Sequence, residues 1–255
     1  MSYFPVTQPE LLVLCFAIAL VAGFVKGAVG FAMPMIMISG MGSFIAPDVA
    51  LAALIIPTVA ANLFQAFRGG FAAAVQAARD YRAFIGIILV FIAISAQLVS
   101  VISAQQMYLL LGVPVTFFAL SQLLGWHIAF RPEHRLRYEV ILGTVAGIIG
   151  GVSGVWGPPT VAYLTALKTP KTDQLRVQGV VYGAGALVLL LAHLKSGVLN
   201  AQTLPFSVVM LVPALAGLWV GFRFHDRMDQ ERFRMLTLFV LVVAGLNLIR
   251  RGLLG

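Results

Sequence analysis

From Leu11 to Ile45 the chain carries one charged residue, Lys26, and from Val140 to Leu167 it carries none. An upright transmembrane helix takes about 20 apolar residues, so each stretch is overlong for one crossing and marginal for two. Both contain the same glycine spacing. Gly23-x3-Gly27-x2-Gly30 returns 120 positions later as Gly143-x3-Gly147-x2-Gly150, and proline follows each within eight residues, at Pro34 and Pro158. Glycine and proline penalise helix continuation through lost order, lost hydrogen bonds and ring clashes. Each stretch therefore reads as a hairpin of short or broken helices. Matching interrupted segments in the two halves of a membrane protein point to a binding site at the repeat interface. Backbone opened there must face protein or a cavity.

Composition excludes the water-soluble alternative. Hydrophobic residues make up 60% of the chain and charged residues 10%, against roughly 25% charged in a soluble domain, and mean hydropathy is +0.98. After each overlong stretch come three ordinary spans. Val49 to Phe67 and Ala83 to Phe130, divided by a turn at Ser103 to Gln106, follow the first; Val177 to Leu194, Leu204 to Phe222 and Met235 to Ile249 follow the second. The expectation is an all-α polytopic membrane protein with two homologous halves: residues 1–126, a cytoplasmic linker 127–139, and residues 140–255.

The net charge of +8 is spread over short loops rather than gathered into a nucleic-acid footprint, so it reports topology. If each overlong stretch crosses once, the halves are parallel, with nine Lys and Arg inside and seven outside. If each returns to its own side, the halves are inverted and the count becomes thirteen to three, with Lys26 intramembrane. The positive-inside rule favours inverted repeats with both termini outside, an arrangement suited to alternating access. Glu10 precedes the first apolar run and no Lys or Arg does, which does not resemble a cleaved signal peptide. Cys15, the single cysteine, lies in an apolar run and reads as packing.

A broken helix offers unpaired N–H groups and the positive end of its dipole, which together suit a small oxyanion. The candidate substrate-binding residues are Lys26, Gly30, Asn62, Gln65, Gly150, Ser153, Gly154, Trp156, Gln178 and Tyr182. Each has a structural alternative. Small residues spaced by four also let membrane helices pack closely, and amides can satisfy one another between helices. Lys26 is an intramembrane charge and a functional hypothesis on that ground, or a lysine snorkelling from a short helix. Arg176, just before the span bearing Gln178 and Tyr182, is a candidate gate or a topological loop charge. His193 is a candidate proton-coupling group or an interfacial histidine.

No HExxH, GxSxG or GxxxxGK[ST] motif is present, so neither an enzyme nor an ATP-driven pump is expected. All nine acids fall at or near expected loop edges, which argues against a metal-cation site. No cofactor is expected. Expected partners are a small anion and the lipid bilayer, with Gly- and Ala-rich faces that would permit a homodimer.

Gly23-Phe24-Val25-Lys26-Gly27-Ala28-Val29-Gly30-Phe31, Pro34 downstream, and Gly154-Val155-Trp156-Gly157-Pro158-Pro159-Thr160-Val161-Ala162-Tyr163 resemble the two signature regions of the sulfite exporter TauE/SafE family, also called the toluene sulfonate uptake permease family. The resemblance spans nearly the whole chain. It implies a multi-pass permease of the bacterial inner membrane for sulfite, organosulfonates or related small carboxylates. Ala32 and Met33 stand where members commonly carry more glycine. Secondary transport with export favoured is the reading; an anion channel, or uptake coupled to a proton or sodium ion, is the alternative.

Overall fold

A computed structural model describes residues 6, 8–95, 104–125, 130, 132–153 and 156–254. Eleven helices are seen among them. The first overlong stretch is α1 (Pro9–Val29), a break, and α2 (Met33–Met41); α3 (Pro47–Phe67) follows. The second is α7 (Arg135–Ser153) and α8 (Gly157–Ala166), followed by α9 (Lys171–Ser196). Each hairpin thus joins one near-full-length helix to one of about half that length. The remaining helices are α4 (Phe71–Asp80), α5 (Arg82–Ser95), α6 (Ala104–Leu123), α10 (Leu204–Arg227) and α11 (Gln230–Leu254). Five helices, α1, α3, α9, α10 and α11, are long and apolar enough to cross a membrane.

Three boundaries differ from the sequence expectation. The charged loop after α3 contains α4, whose 10 residues are too few to span. Ala104, Gln105 and Gln106, expected in a turn, form the first turn of α6. Arg135 to Glu139, expected in the linker, begin α7 after a 3-10 turn at Pro132–His134.

The chain divides into two compact units that do not coincide with the sequence halves. Unit 1 holds residues 1–69 and 179–228; unit 2 holds 70–178 and 229–255. Each therefore mixes helices of both halves, and the boundary falls within α9.

In unit 1, α1 packs most extensively on α10. Membranes provide little hydrophobic drive between helices, so close van der Waals approach must supply it. Gly23 and Gly27 of α1 meet Gly217 and Gly221 of α10 with their backbones in contact. A methyl on Gly23 would strike the Ala214 carbonyl, one on Gly27 the Leu218 carbonyl, and one on Gly217 the Leu20 carbonyl. Small and flexible residues, Ala19, Ala22, Met33, Met37, Ala53 and Met210, fill the core around Phe206. Within α3, Pro57 lacks the N–H that would reach the Ala53 carbonyl. The buried Ser207 hydroxyl of α10 donates to Ala53 O at 3.4 Å and accepts from Ile56 N at 3.1 Å.

In unit 2, α7 packs on α5 through the second glycine pair. A methyl on Gly143 would meet the Ile87 side chain at 3.0 Å, and one on Gly147 the Ile88 carbonyl at 2.8 Å. Helix α6 packs on α11, where a methyl on Gly112 would sit 2.9 Å from the Gly245 carbonyl.

Candidate substrate site at the first helix break

Helix α1 ends because Gly30 adopts the left-handed conformation, with φ 89°, and its N–H closes on Lys26 O at 2.7 Å. This is the αL termination that glycine favours. Ala32 is left-handed too, with φ 73°, a conformation that costs a residue with a Cβ and is found where surrounding structure holds it. Helix α2 then starts at Met33 with Pro34 in its first turn. The break is three residues long, 30–32.

Lys26 lies in the last turn of α1 and is 1% exposed. Its Nζ donates to the Gly30 carbonyl at 3.4 Å and lies 5.5 Å from the centroid of the Tyr182 ring. The same carbonyl accepts from Gln65 Nε2 at 3.1 Å. Among the described residues, Lys26 makes no ion pair. A positive group at a helix C-terminus is favoured by the macrodipole, but one long hydrogen bond leaves most of the ammonium's three-donor capacity unused. The snorkelling alternative fails here, because the side chain is buried and α1 is 21 residues long.

Asn62, one turn before Gln65 on α3, donates Nδ2 to the Tyr182 carbonyl at 3.1 Å. Thr58, Asn62 and Gln65 recur at intervals of four and three, so they share one face of the helix, and all three are buried. Among the described residues, Asn62 Oδ1 and Thr58 Oγ1 have no hydrogen-bond partner. Close approach of α9 is set by Gly179, where a methyl would lie 2.8 Å from Ala66 Cα. On α10, His225 is buried with Nδ1 3.2 Å from Ala28 O. Five expected residues, Lys26, Gly30, Asn62, Gln65 and Tyr182, therefore gather around one break in unit 1. Sequence reading missed Thr58 and His225. Thr58 was legible as the earlier member of the Asn62 and Gln65 stripe, whereas His225 looked like part of a charged loop.

The second break, in unit 2, is built differently. A methyl on Gly150 would lie 2.9 Å from Trp156 Cβ, so the indole rests against this glycine. Trp156 is buried, and its carbonyl accepts from Thr160 Oγ1 at 3.0 Å. Pro158 and Pro159 occupy the first turn of α8 and supply no N–H, leaving fewer orphan donors than an ordinary helix start. Gly154 lies outside the described residues, as does the side chain of Ser153.

Gln178, also in unit 2, is buried. Arg176 pairs with Asp173 at 2.9 Å and lines a pocket of about 510 Å³ together with Asp80, Tyr81, Arg135 and Lys168. His193 sits half-buried in the last turn of α9, in unit 1, and its carbonyl accepts from Leu199 N at 3.0 Å.

One expectation about the acids is corrected. Glu139 is buried in α7, where Oε1 accepts from Arg135 Nε at 2.8 Å and from Tyr163 OH at 2.7 Å. The sequence expectation makes it the last residue of the linker, at a loop edge, whereas Arg135 to Glu139 form the start of α7, which turns Glu139 inward. Tyr163 in turn stacks on Phe84 at 4.4 Å between ring centroids. Both donors to this carboxylate come from the α7–α8 hairpin itself, so its charge is balanced locally.

A family model described as sulfite exporter TauE/SafE matches residues 15–248, which include both breaks and every helix from α2 to α10. The chain belongs to the sulfite exporter TauE/SafE family. Membership and the five long apolar helices make it a multi-pass membrane protein of a transporter family. No curated protein and no solved structure matches it. Both the Lys26 break and the Trp156 break of this TauE/SafE member lie inside the matched range.

Proposed function

We propose that this TauE/SafE member is a secondary transporter moving small anions, such as sulfite, organosulfonates or related carboxylates, across the bacterial inner membrane. The observation that carries the reading is Lys26, a buried amine at a helix break with no carboxylate beside it among the described residues. An uncompensated charge in such a place is costly, and an incoming anion would compensate it. Tyr182 and the amides of Asn62 and Gln65 surround it with groups that fix orientation.

Alternating access by two inverted repeats is the proposed mechanism. In support, each glycine-bearing helix packs on a helix from the other sequence half, α1 on α10 and α7 on α5. The thirteen-to-three charge count agrees. A membrane potential negative inside drives an anion outward by about 2.3 kcal/mol per charge per 100 mV, so export needs no coupling ion. Uptake would need a co-transported proton or sodium ion.

The test is flux of sulfite, sulfoacetate and a small dicarboxylate into liposomes holding the purified protein, under an imposed potential, with Lys26→Met alongside. Saturable flux and counterflow in the wild type, lost in correctly inserted Lys26→Met, are expected. Linear flux without counterflow would indicate a channel. Equal flux in the variant would remove Lys26 from the mechanism.

A further inference from the structure

From the charge balance around the first break, we infer that the transported species carries a single negative charge. For sulfite this is the hydrogen-sulfite form rather than the dianion. The inference rests on the transport reading above and adds the charge state of the cargo, so that of the probes named there sulfite should move as hydrogen sulfite, and sulfoacetate and the dicarboxylate, dianions when fully ionised, should not move in that form.

Lys26 is, among the described residues, the one fully buried lysine or arginine, and it has no carboxylate partner. A monoanion beside it gives a neutral centre. A dianion leaves one net negative charge out of water, and the cost of burying charge grows with its square. Helix ends do little to offset the difference. The carbonyls of α1 present negative dipole ends to the break, and Pro34 removes one donor from the start of α2. Of the neighbouring polar atoms, Asn62 Oδ1 is buried without a partner among the described residues, and as an amide oxygen it can only accept, so it offers nothing to a second negative charge.

Other titratable groups near Lys26 are few. Helix α2 has none. Helix α9 contributes Tyr182, and α10 contributes His225, which is bonded to the Ala28 carbonyl. Helix α3 has Asp48 in its first turn, and at its far end Arg68 is paired with Asp226 of α10.

The test is the half-saturation concentration for sulfite in proteoliposomes between about pH 6 and about pH 9, corrected for leakage through protein-free liposomes. Methanesulfonate, a monoanion across the range, and sulfate, a dianion across the range, serve as competitors. Above the second ionisation of sulfite, the half-saturation concentration in total sulfite should rise about tenfold per pH unit, following the vanishing monoanion. Expressed as hydrogen sulfite it should stay constant. Methanesulfonate should compete equally well at every pH, and sulfate should not compete.

A half-saturation value in total sulfite that ignores pH, or sulfate competing as well as methanesulfonate, would overturn the inference and leave the carrier reading standing. Methanesulfonate competition that weakens with pH in parallel would place the titration on the protein and overturn it too, as would no competition by methanesulfonate at all. Absence of saturable sulfite flux at every pH would instead sink the carrier reading on which the inference stands.

Discussion

The two helix breaks descend from the same glycine spacing and differ in what fills them. At the first, the position between the leading glycines is Lys26, with Gly30 left-handed behind it and the Gln65 amide of α3 on the Gly30 carbonyl. At the second, the corresponding residue is Ala146, fully buried, and an indole lies against Gly150. Among the described residues, the first break holds a charge and unpartnered polar atoms, and the second holds a buried indole against glycine. The glycine spacing is thus shared by the two copies, while the residue placed among the glycines, Lys26 or Ala146, differs in charge. An anion site in this fold is not a property of the break alone.

The largest effects should separate the first two glycines of each triplet, which serve packing in both copies. Gly23→Ala drives a methyl into the Ala214 carbonyl, which belongs to backbone and cannot yield. A loss of about 3 kcal/mol or more, at the upper end of overpacking costs, is expected as a lower unfolding temperature in detergent. At the matching position, Gly143→Ala meets the Ile87 side chain at 3.0 Å, which can turn aside, so the expected cost is about 1 kcal/mol. Equal penalties would show that the two copies pack alike after all.

Next comes the indole. Trp156→Ala removes a buried aromatic from the second break, and a loss of about 3 kcal/mol is expected for truncation of this kind. If its role is to pack on Gly150, a methyl at that glycine should be costly only while the indole is present. A double-mutant cycle of Gly150→Ala with Trp156→Ala should therefore give a coupling of about 1 kcal/mol. Additive penalties would release Trp156 from packing and return it to the substrate candidates.

Making the first break resemble the second is the functional counterpart. Lys26→Ala should leave the fold intact and weaken anion binding by about 1.5–3 kcal/mol, the range for a hydrogen bond to a charged group, or roughly tenfold to a hundredfold in affinity. Isothermal titration with hydrogen sulfite reads this directly. A large drop in unfolding temperature instead would make Lys26 a structural cap of α1.

Much of this architecture was legible in the sequence because charge spacing and glycine periodicity are one-dimensional signals. Lys26, Asn62 and Gln65 stood out as polar residues inside apolar runs, and they do gather at one break. What could not be read is which glycines touch helices and which open the chain, because Gly27 and Gly30 differ only in what approaches them. Glu139 was misplaced for a related reason. Arg135, Arg137 and Glu139 together read as the charged end of a loop in a linear reading, yet Arg135 and Glu139 stand one turn apart on one face of α7 and pair there. The pairing of α1 with α10 and of α7 with α5 joins residues far apart in the chain, and no local pattern announces it.

The smallest expected effect concerns a difference between the long helices that follow the two breaks. Helix α3 carries Pro57, whereas the position 120 residues on, in α9, is Val177, so of the two helices α3 has a carbonyl, that of Ala53, deprived of its helical donor. Ser207 serves that carbonyl and the Ile56 N–H together. Ser207→Ala leaves both to fend for themselves in a buried place, at an expected cost of about 1–2 kcal/mol. Restoring the missing donor should cancel part of it. In Pro57→Ala the helix can close its own hydrogen bond to Ala53, so the second substitution, Ser207→Ala, should then cost distinctly less. Unfolding temperatures of the two single variants and the double variant decide the matter. Equal costs of Ser207→Ala in both backgrounds would mean that the hydroxyl serves packing between α3 and α10, and that proline and serine are not a matched pair.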